Sequence, residues 1–240
     1  MMHTRRLLGV MALSVLLGTV VFGAAACTGG NAGTGEPGSL PDASGLLRES
    51  AQAMSELNTV SFALAVDGTV PGVAIRTAEG KLTKDGNVKG KAQLDQGSGT
   101  SEIEFVIVGG TLYLKGPTGG FQRLPASFAA TVYDPSKILD RNAGLPALLA
   151  GASNARTEAT EDIDGKQAYR IAVTVPRDKL TVLLPGVASD LNGQLWVATN
   201  DPKWLLKAKM DVPAQSGGTP AGVTMTLSDF NDPVTITPPG

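Results

Sequence analysis

Alternating apolar and polar positions mark most of this chain as β-structure. In Ser101–Lys115, SEIEFVIVGGTLYLK, Ile103, Phe105 and Ile107 alternate with Glu102 and Glu104, and Leu112 and Leu114 flank Tyr113 beyond Gly109-Gly110. Period-two alternation on both sides of a Gly-Gly pair predicts a hairpin with a tight turn. Upstream, Val60, Phe62, Leu64 and Val66 alternate with small or polar residues. Past a Pro71-Gly72 turn, Val73, Ile75 and Thr77 are expected on one face. Past Lys84-Asp85-Gly86, Val88, Gly90, Ala92 and Leu94 share another. Downstream, Ala155–Glu161 and Gln167–Val175 flank an Asp164-Gly165 turn, with Tyr169, Ile171, Val173 and Val175 pointing one way. Leu191–Ala198, Trp204–Val212, Val223–Phe230 and a short Val234–Thr237 follow. About ten strands joined mostly by short turns predict an antiparallel sheet, and a sheet of that size curls instead of staying flat.

The period changes in only a few places. Leu46, Leu47, Ala51, Met54 and Leu57 recur at three- and four-residue spacing and predict a helix over Asp42–Leu57, capped by Asp42 or Ser44. Asp134-Pro135 reads as the cap and first residue of a short helix carrying Ile138 and Leu139. Gly144–Ala152, with Leu145, Leu148 and Leu149, and Lys179–Leu184 are two further short helices. The expected fold is α+β: a strongly curved antiparallel sheet, a half-barrel, with its helices on the concave face. Gly90 and Ala92 in mid-strand signify either vacant space on an apolar face or a bend. Space there would enclose an apolar cavity. From the first strands its candidate lining is Phe62, Leu64, Val66, Val73 and Ile75, then Val88 and Ala92. The central hairpin would add Ile103, Phe105 and Ile107, the second helix Leu145, Leu148 and Leu149, and the later hairpin Tyr169, Ile171 and Val173.

The first residues follow another logic. Arg5 and Arg6 precede an apolar run from Leu7 to Phe22, then Ala24-Ala25-Ala26-Cys27. Charged, apolar and small-residue regions in that order make a secretory signal over residues 1–26. Cys27 after small residues resembles a bacterial lipobox, in which a diacylglycerol is attached to the Cys and the leader is removed. Ala24 departs from the usual Leu, and Ala24-x-Ala26 also suits ordinary signal cleavage. Two acyl chains suffice for stable anchoring. Residues 27–41, rich in Gly, Thr, Ser and Pro, form a flexible tether with a reach of about 20 Å, leaving 42–240 as one domain. Gly33 to Gly38 matches G-x-G-x-x-G, but Pro37 interrupts it and no strand precedes it, so it reads as linker.

Composition excludes several chemistries. The net charge is -2 with no basic run interleaved with aromatics, so nucleic acid is not an expected partner. The only His, His3, leaves with the leader, and Cys27 is the only Cys. The remainder offers no Ser-His-Asp triad, no free Cys nucleophile and no zinc site of the usual kind. Glu102, Glu104, Asp162 and Asp164 lie on a strand's polar face or in a turn, where solvated charge is the plainer reading. No catalytic residue, metal or cofactor is expected. A surface protein with a packed core and no ligand is the alternative to a lipid carrier.

Several segments together carry a resemblance: LPDA at 40–43, VDGTVPGVAIRTAEGKLT at 66–83, YDPSKIL at 133–139, GLPALLAGASNARTEATEDIDGKQAYRI at 144–171 and VTMTLSDFNDPVTITPP at 223–239. With the Cys27 signal, the chain resembles the LppX/LprAFG lipoproteins of mycobacteria along nearly its whole length. The resemblance implies a curved sheet with helices on its concave face and a large apolar cavity between them. It implies a carrier that moves acylated glycolipids or triacylglycerol from the plasma membrane toward the outer envelope. It also implies lipid anchoring on the outer, periplasmic face of that membrane and a major-facilitator membrane transporter as partner. Gly86-Asn87-Val88 resembles the start of a cavity-lining strand in that family, which singles out Val88.

Overall fold

A computed structural model describes residues 39–240, apart from 71, 98, 126–136, 185 and 215–218. The leader, Cys27 and the start of the expected Asp134-Pro135 helix lie outside the described residues. Eleven strands form one antiparallel sheet: β1 (Thr59–Asp67), β2 (Ile75–Thr83), β3 (Val88–Asp95), β4 (Thr100–Val108), β5 (Thr111–Lys115), β6 (Gln122–Pro125), β7 (Ser153–Ile163), β8 (Lys166–Val175), β9 (Leu191–Ala198), β10 (Leu205–Val212) and β11 (Ala221–Ser228). Their order is β6-β5-β4-β3-β2-β1-β11-β10-β9-β8-β7. Two meanders therefore meet at a seam where the first strand pairs with the last, Phe62 opposite Leu227 and Leu64 opposite Met225. The expected curved antiparallel sheet with few helices is what the chain forms. The central hairpin turns at Gly109 (φ 55°) and Gly110 (φ 72°), the two positive angles a two-residue turn of matching twist requires.

Three helices lie among the described residues: α1 (Ala43–Ser55), α2 (Leu145–Gly151) and α3 (Arg177–Leu180). Asp42, not Ser44, caps α1; its Oδ2 accepts a hydrogen bond from the Gly45 N–H at 2.6 Å. The apolar stripe of α1 buries Leu46, Leu47 and Met54, and Leu57 just beyond it is also buried. α1 packs on α2 and reaches β7 and β9, and α2 touches α3. The Thr157 hydroxyl of β7 donates to the Pro41 carbonyl at 2.8 Å, fixing where the chain enters α1.

Local differences from the expected pattern have identifiable causes. The pairing of β2 with β3 shifts between Ile75 and Thr77, so Ile75 faces Leu94 while Thr77 faces Gln93 on the other side. Val73, Ile75 and Thr77 therefore do not share a face. Arg76 is the extra residue, and its guanidinium bonds Asp95 at 2.7 Å and the Gly68 carbonyl at 3.2 Å. A second shift, between Leu205 and Lys207, lets two adjacent leucines, Leu205 and Leu206, both be buried. The expected strand at Val234–Thr237 is irregular: Pro233, Pro238 and Pro239 have no N–H to donate to a ladder. The tail is fastened instead by Asn231 N–H to the Thr59 carbonyl at 2.9 Å and Thr59 Oγ1 to the Asp232 carbonyl at 2.7 Å. The helix expected at Lys179–Leu184 starts at Arg177 and is helical only to Leu180. β6, four residues long, was not signalled by the pattern.

Candidate functional site

In an antiparallel pair, residues directly opposite one another share a face. The registers therefore define rows that run across the sheet. On the face covered by the helices, one row reads Val60, Leu82, Val88, Ile107, Leu112 and Leu124. The next reads Leu227, Phe62, Gly80, Gly90, Phe105 and Leu114. A third reads Met225, Leu64, Ala78, Ala92 and Ile103. None of these residues carries a charge. The charged side chains of the same strands, among them Glu79, Lys91 and Glu102, stand on the opposite face.

Burial divides this inner face in two. Over β8 and β9, Ile171, Val173, Val175, Leu195 and Val197 are buried in one cluster with Leu46, Leu47, Met54, Leu145, Leu148 and Leu149. Over β1 to β5, Phe62, Leu64, Ile75, Leu94, Ile103, Phe105, Ile107 and Leu114 each keep part of their surface accessible, although Phe62, Leu64, Phe105 and Ile107 also pack against that cluster. The accessible side chains form a continuous apolar strip, closed at one end by Leu82 and Val88, which are 1% and 3% exposed. The other end reaches the Ile75–Leu94 pair and the Arg76–Asp95 ion pair. Asp95 is held below its ordinary carboxylate range by the Gly97 N–H first and by Arg76 second.

The candidate residues thus divide. Phe62, Leu64, Ile75, Ile103, Phe105 and Ile107 come together on the strip, with Ala92 on its floor. Val66 and Val88 are buried at its two ends, and Val73 stands outside β2 in a bridge to Val70. Leu145, Leu148, Leu149, Ile171 and Val173 belong to the filled half, and Tyr169 is half-buried beside it. Leu94, Leu114, Leu124 and Met225 also lie on the strip's face. Leu94 continues the Val88, Gly90, Ala92 alternation and was legible; Met225 was not, because nothing local says that the last strand adjoins the first.

The mid-strand glycines mark a close approach of two strands. A Cβ on Gly80 would stand 2.4 Å from the Lys89 carbonyl oxygen, and one on Gly90 would stand 2.2 Å from that of Glu79. Only glycine permits β2 and β3 to approach so closely here. Two surface depressions, of about 450 and 410 Å³, are lined mainly by residues of the opposite face, the larger also touching Leu64, Ala78 and Ala92. The larger is bordered by Glu79, Lys91, Gln93 and Glu102, with Lys91 Nζ 3.8 Å from Glu102. Charged, open borders do not suit acyl chains, so the strip and not these depressions is the candidate site. Among the described residues no group of three or more His, Cys, Asp and Glu side chains could hold a metal ion.

Comparison with known proteins places this arrangement. Residues 42–236 match the family model described as LppX_LprAFG lipoprotein. The chain is 32% identical to the lipoarabinomannan carrier protein LprG of Mycolicibacterium smegmatis over 244 aligned positions, covering 99% of each chain. It is 28% identical to the protein of the same name from Mycobacterium tuberculosis, covering 99% of this chain and 96% of that one. Among solved structures it is similar to LprF from Mycobacterium bovis, with a TM-score of 0.71 at 23% identity, covering 82% of this chain and 96% of that one. It is also similar to LppX from Mycobacterium tuberculosis, with a TM-score of 0.62 at 24% identity, covering 81% and 97%. The two structures share the fold.

Proposed function

The chain belongs to the LppX_LprAFG lipoprotein family, and on that premise we propose that it is a cell-envelope lipid carrier, not an enzyme. Its cargo is an acylated glycolipid or triacylglycerol, whose acyl chains lie on the strip between β1 and β5. Transfer runs from the plasma membrane toward the outer envelope. The name of the LprG relatives, a carrier of lipoarabinomannan, supports a glycolipid cargo. The observation that carries the reading is the strip itself: uncharged, apolar and still accessible, next to a half of the same face that is packed shut.

The energetics favour such a surface. Each methylene removed from water contributes about 0.8 kcal/mol, so a long acyl chain leaves a bilayer only for an equally dry wall. Aliphatic side chains provide that wall without directional contacts, which suits cargo of varied chain length. Residues 1–26 act as a signal peptide, Cys27 carries a diacylglycerol anchor in the outer face of the plasma membrane, and residues 27–41 tether the domain 42–240. A major-facilitator membrane transporter is its partner.

Native mass spectrometry of the protein purified from its own host tests these statements together. The expected result is a noncovalent acylated lipid on the folded domain and a thioether-linked diacylglycerol on Cys27. Protein that arrives without lipid, and takes none from glycolipid vesicles, overturns the carrier function and leaves a surface protein with no ligand. A bare Cys27 overturns the anchor.

A further inference from the structure

If the strip holds acyl chains, as proposed above, the register shows where one of them lies. At the centre of the strip β2 and β3 present only small residues, Ala78 opposite Ala92 and Gly80 opposite Gly90. The strands on either side present large ones: Leu64 and Phe62 on β1, Ile103 and Phe105 on β4. Small residues between two large ones make a furrow that runs along the strands. Its walls are three strand spacings apart, about 14 Å between backbones.

The furrow has an entrance and an obstruction. The entrance is at Ile75 and Leu94, both partly accessible, beside the polar Ser101. The far end is closed by the buried Leu82–Val88 pair. One row before that end, the Phe105 ring crosses the floor: its Cζ stands 3.0 Å from where a Cβ on Gly90 would be. A row is two residues of strand, about 6.7 Å. The ring therefore removes roughly that length from the furrow, and it can do so only because Gly90 has no side chain.

We propose that Phe105 sets the length of the acyl chain this protein retains: the chain enters past Leu94, runs over Ala92 and Ala78, and stops against the ring above Gly90. Phe105 is a specificity-determining residue, and the assignment rests on the carrier function. The test equilibrates delipidated protein with an equimolar ladder of saturated fatty acids, lauric to behenic, and reads the bound acids by native mass spectrometry. Wild type is expected to retain a narrow range. Phe105→Ala moves that range to longer acids, with retention rising about fourfold for each extra methylene seated. Phe105→Leu moves it less. Leu124→Ala, on the same face but outside the furrow, leaves it unchanged. If Phe105→Ala loses its native circular dichroism, Phe105→Leu alone decides. An identical range in wild type and the folded Phe105 variants overturns the proposal while the carrier function stands. A wild type that retains no acid overturns the proposal, and one that also takes no lipid from glycolipid vesicles overturns the carrier function.

Discussion

The two halves of the inner face are built from the same kinds of residue and differ in what lies over them. Over β8 and β9, Ile171, Val173, Leu195 and Val197 are covered by the apolar stripe of α1 and by Leu145, Leu148 and Leu149 of α2. Over β1 to β4, Phe62, Leu64, Ile103 and Phe105 keep accessible surface. The difference is one of coverage. One half shows the ordinary way a sheet buries its apolar face, against helices. The other shows the same face kept partly accessible, and it is there that acyl chains are proposed to lie. The packed half holds the fold together so that the bare half does not have to.

The contrast can be broken from either side. The largest effect is expected in the packed half: Met54→Ala, at a fully buried side chain, should lower unfolding free energy by about 2–5 kcal/mol. Urea denaturation measures it. Next comes the boundary between the halves. The family resemblance makes Val88 a cavity residue, but it is 3% exposed and joins the packed cluster. Val88→Trp should therefore overpack and cost about 1–3 kcal/mol, so lower lipid loading in that variant must be compared with its lower stability. A Val88→Trp protein as stable as wild type would place vacant space at that position.

In the bare half the expected effects on stability are smaller and those on cargo larger. Ile103→Glu puts a charge on a partly accessible position, where stability should change by less than about 1 kcal/mol. Lipid loading, read by native mass spectrometry, should fall at least about tenfold, because a carboxylate against an acyl chain must stay hydrated or be neutralised. The smallest effect is at the open end. The lowered Asp95 pKa means that its ionised form is favoured by the fold, so its contribution is present above the ordinary aspartate range. It is lost as pH falls through the lowered value. Amide exchange at Gly97 should quicken there, after correction for intrinsic rates, and Asp95→Asn should abolish that pH dependence.

How far the sequence foretold this depends on how local each signal is. The hairpin at 101–115 and the Asp164-Gly165 hairpin were legible because alternation and turn chemistry lie within a few residues of each other. The face of Val88, Gly90, Ala92 and Leu94 was legible for the same reason. The shift at Ile75–Thr77 was not, because it depends on Arg76 reaching Asp95, nineteen residues away in sequence. Nor could spacing say which strands α1 covers. Leu46, Leu47 and Met54 announce a buried stripe, while the choice of β7 and β9 as its bed is settled by the topology. That is why Leu145, Ile171 and Val173 read as cavity residues and stand in the packed core. The mid-strand glycines carried two meanings, space or a bend, and local sequence could not say how closely β2 and β3 approach one another there.

The seam between β1 and β11 has a consequence for how the protein is made. A chain synthesised from its N-terminus delivers β1 to β6 long before β11, so the strip emerges with one neighbouring strand still missing. Pairing Ser61 with Ser228 closes most of the described chain into one loop, a non-local contact of the sort that slows folding. Until it forms, the meander has an unpaired edge beside an apolar face, the combination most prone to sticking to other chains. The interval before that seam closes is thus the stage at which the chain is most open to association with other chains.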